Sequence, residues 1–165
     1  MSTPSKLSQL QIRVSEAEKA AIRTAAERAG LDMSAYVLSR VLSNPAQELQ
    51  QAISALTGPT APSFALAQIN SLLSSLTAGE LRDALAASPE VQLAPFLANY
   101  VAAMIELACE RRAIAVPPWT RRIVPLDEPA FGSTLRSLRL HLLTHSPAPF
   151  RRRNIFIDAS LGDRV

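Results

Sequence analysis

Gln9, Gln11 and Arg13 alternate with Leu10, Ile12 and Val14 near the start of the chain. A period of two sends the two sets to opposite faces of a strand. With the aliphatic set turned to a core, two amides and a guanidinium face outward. Gln presents a paired donor and acceptor that fits the edge of adenine, and Arg fits guanine. The same three residues also suit a plain solvated face, and the strand alone does not choose between them. A second group of chemically capable side chains lies far away: Trp119, Arg121, Arg122, Arg136, Arg139, the run Arg151-Arg152-Arg153, and Phe156. Such residues contact phosphates or anchor an acidic protein partner, and a solvated charge run is the bland alternative. His141 and His145 have the i, i+4 spacing that can hold zinc, but no third ligand accompanies them. Surface or interface histidines are the favoured reading, and neither metal nor cofactor is expected. The chain has no Gly-rich phosphate loop, serine elbow or carboxylate cluster, which argues against an enzyme.

Local signals define the elements that must position the first group. Ser15 and Glu18 form a capping box that closes the strand and opens a helix, along which Ala21, Ile22, Ala25, Ala26 and Ala29 recur at helical spacing. Gly30 is a left-handed terminator. Asp32 or Ser34 caps a second helix bearing Tyr36, Val37, Leu38, Val41 and Leu42, whose first-turn amides suit an anion. Asn44-Pro45 interrupts it. A strand and two helices of this size cannot bury enough apolar surface alone and call for a second copy. A two-fold pair presents a two-stranded ribbon, a shape that fits the DNA major groove.

The run IRVSEAEKAAIRTAAERAGLDMSAYVL resembles the ribbon-helix-helix family of dimeric repressors, the Arc/MetJ/CopG type, and within it the antitoxins of bacterial toxin–antitoxin operons. The shared features are the R-V-S-x-x-E-K entry, the Gly-Leu turn and the Ser-x-aromatic-aliphatic start of the second helix. The resemblance implies a mainly α protein, with an N-terminal ribbon-helix-helix unit whose two-stranded antiparallel ribbon forms in a dimer. A small helical domain with a short extended C-terminal segment follows. It implies that Gln9, Gln11 and Arg13 read bases and that Asp32, Met33 and Ser34 bind phosphate. Leu10, Ile12, Val14, Ile22, Tyr36 and Val37 then form the dimer core. The tail from PPWTRR through SPAPFRRRNIFID is similar to C-terminal segments of other predicted antitoxins, which implies partner binding there. The expected function is a type II antitoxin that binds operator DNA as a homodimer or higher even oligomer and neutralises a co-encoded toxin. The alternative is a stand-alone repressor or plasmid-maintenance protein that oligomerises through its C-terminal part.

Charge is segregated along the chain. Residues 1–44 carry six Lys/Arg and four Asp/Glu, residues 45–110 one and six, and residues 111–165 ten and four, for net charges of +2, −5 and +6. Both ends suit a phosphate backbone and the middle does not. The single cysteine excludes a disulfide framework and fits a reducing cytoplasm, and no apolar run is long enough to span a membrane. The predicted domains are 1–44 for DNA binding and dimerisation, 45–63 as helix and linker, and 64–165 for partner binding. Within the last, helices are predicted over 64–76, from the Thr77/Glu80 capping box to 87, from Ser88-Pro89, over 94–114 and from Ser133 to Thr144. An extended run is predicted over 150–158.

Overall fold

The chain divides into two units, Met1–Ser43 and Asn44–Val165. A computed structural model describes residues 11–42, 44–59 and 61–158. The described residues are mainly helical. None of their helices is long and apolar enough to cross a membrane.

The first unit contains α1 (Glu16–Arg28) and α2 (Met33–Leu42). Both halves of the predicted capping box form at Ser15. Its backbone N–H donates to Glu18 Oε2 at 2.8 Å, and the Glu18 N–H donates to Ser15 Oγ at 3.3 Å. The exit of α1 is a Schellman turn. Gly30 sits at φ +66°, its N–H donates to Glu27 O, and the Leu31 N–H donates to Ala26 O. Of the two candidate caps for α2, Asp32 is the one used, accepting the Ala35 N–H at 2.8 Å.

The second unit opens with α3 (Pro45–Ser54), capped by Asn44, with Pro45 in the first turn where its missing N–H costs nothing. A tight turn at Ala55–Thr57 leads to α4 (Pro62–Ser75), α5 (Ala78–Ala84) and α6 (Pro95–Arg111). Leu49 and Ile53 of α3 are buried with Ile69, Leu73, Leu81 and Ile105 in one core. Residues 45–63, read above as helix and linker, therefore belong partly to the interior of this unit. The Thr77/Glu80 capping box forms and starts α5. Residues 88–94, by contrast, hold no helix. Pro95, a residue that breaks or kinks any helix running through it from Ser88-Pro89, occupies the first turn of α6.

Helix α6 is buried almost all round from Asn99 to Cys109, as an apolar helix enclosed on several sides must be. Helical spacing points Phe96, Leu97, Tyr100, Met104 and Leu107 inward, which is only partly right, because Phe96 is exposed while Val101, Ala102 and Ala103 are buried as well as Met104. Arg112 bonds two carbonyls at the end of α4, with Nε on Leu76 O at 2.9 Å and Nη2 on Ser74 O at 2.8 Å. Beyond it lie β1 (Ala130–Phe131), α7 (Arg139–His145), α8 (Ala148–Arg151) and β2 (Ile155–Phe156). The predicted helix from Ser133 starts late, as a 3-10 turn at Arg136–Leu138 leading into α7. The predicted extended run over 150–158 is in part helical, since Pro147 starts α8. The two strands pair in parallel, Ala130 opposite Ile155 and Phe131 opposite Phe156. Ile155 and Ile157 enter the core, while the Phe156 ring stacks on Phe131 with centroids 5.1 Å apart.

Candidate nucleic-acid interface

In the first unit, Ile22 and Ala25 of α1 and Met33, Tyr36 and Val37 of α2 are half-buried, and Ala26 is the one buried residue among the described side chains. Two amphipathic helices thus meet along a thin seam. Gln9 and Leu10 lie outside the described residues. Residues 11–15 form no strand, and Ile12 and Val14 are 58% and 42% exposed. Leu31 and Leu38 are exposed as well. The described members of the apolar set expected to form a dimer core, Ile12, Val14, Ile22, Tyr36 and Val37, are therefore either half-buried or open to solvent in the single chain. Gln11 and Arg13 are exposed beside it.

At the start of α2 the three expected phosphate ligands separate by role. Asp32 spends its carboxylate on the Ala35 N–H, and its charge opposes an incoming phosphate. The backbone amides of Met33 and Ser34 are the donors that an anion would meet at this helix start. Ser34 is exposed and Met33 half-buried. Glu18, in the first turn of α1, has its pKa lowered by the Ser15 backbone N–H and then by the Ser15 hydroxyl.

The expected partner-binding group of the second unit is dispersed. Trp119 is buried, and its Nε1 donates to Leu85 O at 3.1 Å, capping the end of α5. Phe156 is buried against Phe131. Arg153 is 5% exposed. Its Nη2 donates to Glu106 Oε1 at 2.5 Å and to Thr120 O at 2.9 Å, and its Nη1 to Asn99 Oδ1 at 3.0 Å. The Asn99 Nδ2 in turn donates to Pro95 O and Val124 O. These three side chains hold the fold together and are withdrawn from any partner. The reason is electrostatic, since a guanidinium enters the interior only where a carboxylate and other acceptors meet it. Glu106 and Asn99, two polar residues within the apolar stretch of α6 that runs from Phe96 to Cys109, were the sequence signal for this network.

Arg152 pairs with Glu110 at the surface. Arg121, Arg122, Arg136, Arg139 and Arg151 are exposed, with the Arg139 guanidinium 4.9 Å from the centroid of the Phe131 ring. His141 and His145 stack with centroids 4.1 Å apart, and His141 Nε2 lies 3.5 Å from Asp158 Oδ2. No group of three or more metal-ligating side chains occurs among the described residues.

Residues 5–57 match the NikA-like family, described as mobilization protein NikA. The match spans all of the first unit's described residues and runs through α3. No curated protein and no solved structure matches the chain. The similarity to a mobilization protein therefore bears on the N-terminal third and leaves most of the second unit without a counterpart.

Proposed function

We propose that the chain binds duplex DNA as a homodimer through its first unit, in plasmid mobilization or maintenance. The observation that carries this reading is how little of that unit is enclosed among the described side chains, of which Ala26 alone is buried while Ile12, Val14, Leu31 and Leu38 are exposed. Burial this sparse does not offset the cost of ordering two short helices. A second copy covers the exposed aliphatics, pairs the two segments around residues 9–14, and leaves Gln9, Gln11 and Arg13 outward. That ribbon enters a major groove while the Met33 and Ser34 amides meet the flanking phosphates. The similarity of residues 5–57 to a mobilization protein supports a role on plasmid DNA.

The test uses the full chain and a randomised duplex library, with selected sequences taken into gel shifts at two salt concentrations. A dimeric mass and a salt-sensitive, sequence-selective shift are expected. Changing Gln9, Gln11 and Arg13 together to Ala removes the selectivity, at about 10- to 100-fold per lost bidentate contact, and leaves the mass unchanged. A monomeric mass, or selectivity that survives the triple change, sinks the reading.

A second reading makes the chain the antitoxin of a co-encoded toxin, with the toxin held by the second unit. Its support is the likeness of both chain ends to antitoxins and the exposure of Arg121, Arg122 and Arg151. Co-expression with each neighbouring open reading frame separates the two readings: growth arrest by one of those products, relieved by this chain, favours the antitoxin.

A further inference from the structure

A cavity of about 290 Å³ opens in the second unit, between α6, the loop of residues 116–125 and the corner where α8 passes into β2. Its wall holds three guanidiniums, Arg121, Arg152 and Arg153, two carboxylates, Glu106 and Glu110, and the aliphatic side chains of Val116 and Ile123. The charges do not cancel. Arg152 pairs with Glu110 and Arg153 with Glu106, so Arg121 is the third cation. Arg121 is exposed, and its side chain has neither an ion pair nor a hydrogen bond among the described residues. The wall therefore carries one net positive charge.

An independent observation concerns hydrogen-bond donors. The Nη1 and Nη2 of Arg153 meet Asn99, Glu106 and Thr120. Its Nε is the one buried side-chain N or O atom among the described residues with no hydrogen-bond partner. A buried donor without an acceptor is costly, and native proteins rarely keep one. The same wall thus lacks one negative charge and one acceptor. A carboxylate supplies both, and its two oxygens match the planar donors of a guanidinium. Phosphate offers similar acceptors, but as a dianion it sets a second negative charge against Glu106 and Glu110. The volume lies just below the range of about 300–1,000 Å³ usual for drug-sized ligands, so a molecule of a few carbons fits, its chain against Val116 and Ile123. Enclosure removes Arg153 from a protein surface, which leaves a small molecule as the ligand class.

We propose that this cavity binds a short aliphatic monocarboxylate, with Arg121 as its charge partner and Arg153 Nε as the enclosed donor. The site lies wholly within the second unit and does not depend on the homodimer proposed above. The test titrates the nitrogen-15-labelled full chain with butyrate at constant ionic strength and follows the arginine Nε–H signals by nuclear magnetic resonance. Saturable shifts of Arg121 and Arg153 are expected with butyrate and not with the neutral isostere butyramide. Arg121→Gln should weaken butyrate binding at least about tenfold, as loss of a charge-assisted hydrogen bond requires, with the melting temperature unchanged. Arg122→Gln removes an exposed cation next in sequence that does not line the cavity, and should leave the affinity as it was. Equal responses to butyrate and butyramide, or a non-saturating response shared by Arg121→Gln, overturn the site. A shift at Arg121 with the Arg153 signal unmoved reduces the event to ion pairing at the surface and overturns it as well. Saturation by inorganic phosphate at lower concentration than butyrate overturns the assignment to a monocarboxylate.

Discussion

Replacing Arg153 by Met removes the guanidinium that joins three elements of the second unit and retains most of its apolar stem. Glu106, 8% exposed, then loses its cation, while Asn99 Oδ1 and the Thr120 carbonyl each lose a donor. Breaking one side of a buried ion pair costs about 3–5 kcal/mol, because the remaining charge is left without compensation in the interior. At roughly 3–4 °C per kcal/mol for a unit of this size, the melting temperature should fall by about 10–20 °C. Adding Glu106→Leu removes the stranded carboxylate, and the double variant should recover all but about 1–2 kcal/mol, the cost of the acceptors still unpaired at Asn99 and Thr120. Thermal and urea melts of wild type, both single variants and the double variant form a cycle with a coupling energy of several kcal/mol. A single Arg153→Met variant within about 1 kcal/mol of wild type refutes the assignment. Arg153 would then be replaceable, and a role at a partner surface would return to consideration.

Two further predictions concern titration and reactivity. Glu18 has its pKa depressed in the folded state by the Ser15 backbone N–H and hydroxyl, so its contribution to α1 is present above the ordinary carboxylate range and lost as pH falls through the depressed value. Helical circular dichroism should show an acid-side loss of signal that is smaller in Glu18→Gln, and an identical acid titration in the variant contradicts the capping role. Burial, followed by the nearby Glu106 carboxylate, pushes the Cys109 thiol pKa up, and the side chain is fully buried. Cys109 should stay unmodified by a thiol reagent at pH 8 in the native protein and react completely in denaturant. Stoichiometric labelling of the folded chain within minutes contradicts this.

The features legible in the sequence are those whose causes lie within one helical turn. Ser15 and Glu18, and again Thr77 and Glu80, are three residues apart, so each capping box forms by local hydrogen bonding in whatever context the chain supplies. Gly30 takes a positive φ because no Cβ opposes it, and that too is local. Proline shows where local rules become ambiguous. Pro95 and Pro147 suit a first turn as well as a break, and in the structure each stands at the start of a helix. The fate of the basic end depends on partners far away in the chain. Arg153 lies 47 residues from Glu106 and 54 from Asn99, and Trp119 lies 34 from the carbonyl it caps. Three consecutive arginines look alike in sequence, yet Arg151 is solvated, Arg152 pairs at the surface and Arg153 is enclosed. The direction in which β2 leaves α8 sets those fates, and that direction follows from its pairing with β1 and from the burial of Ile155 and Ile157. Local chemistry in the chain therefore determined the starts of α1 and α5 and the end of α1, whereas only the tertiary arrangement decided which charges reach solvent, since desolvation depends on what is packed around a group rather than on its neighbours in sequence.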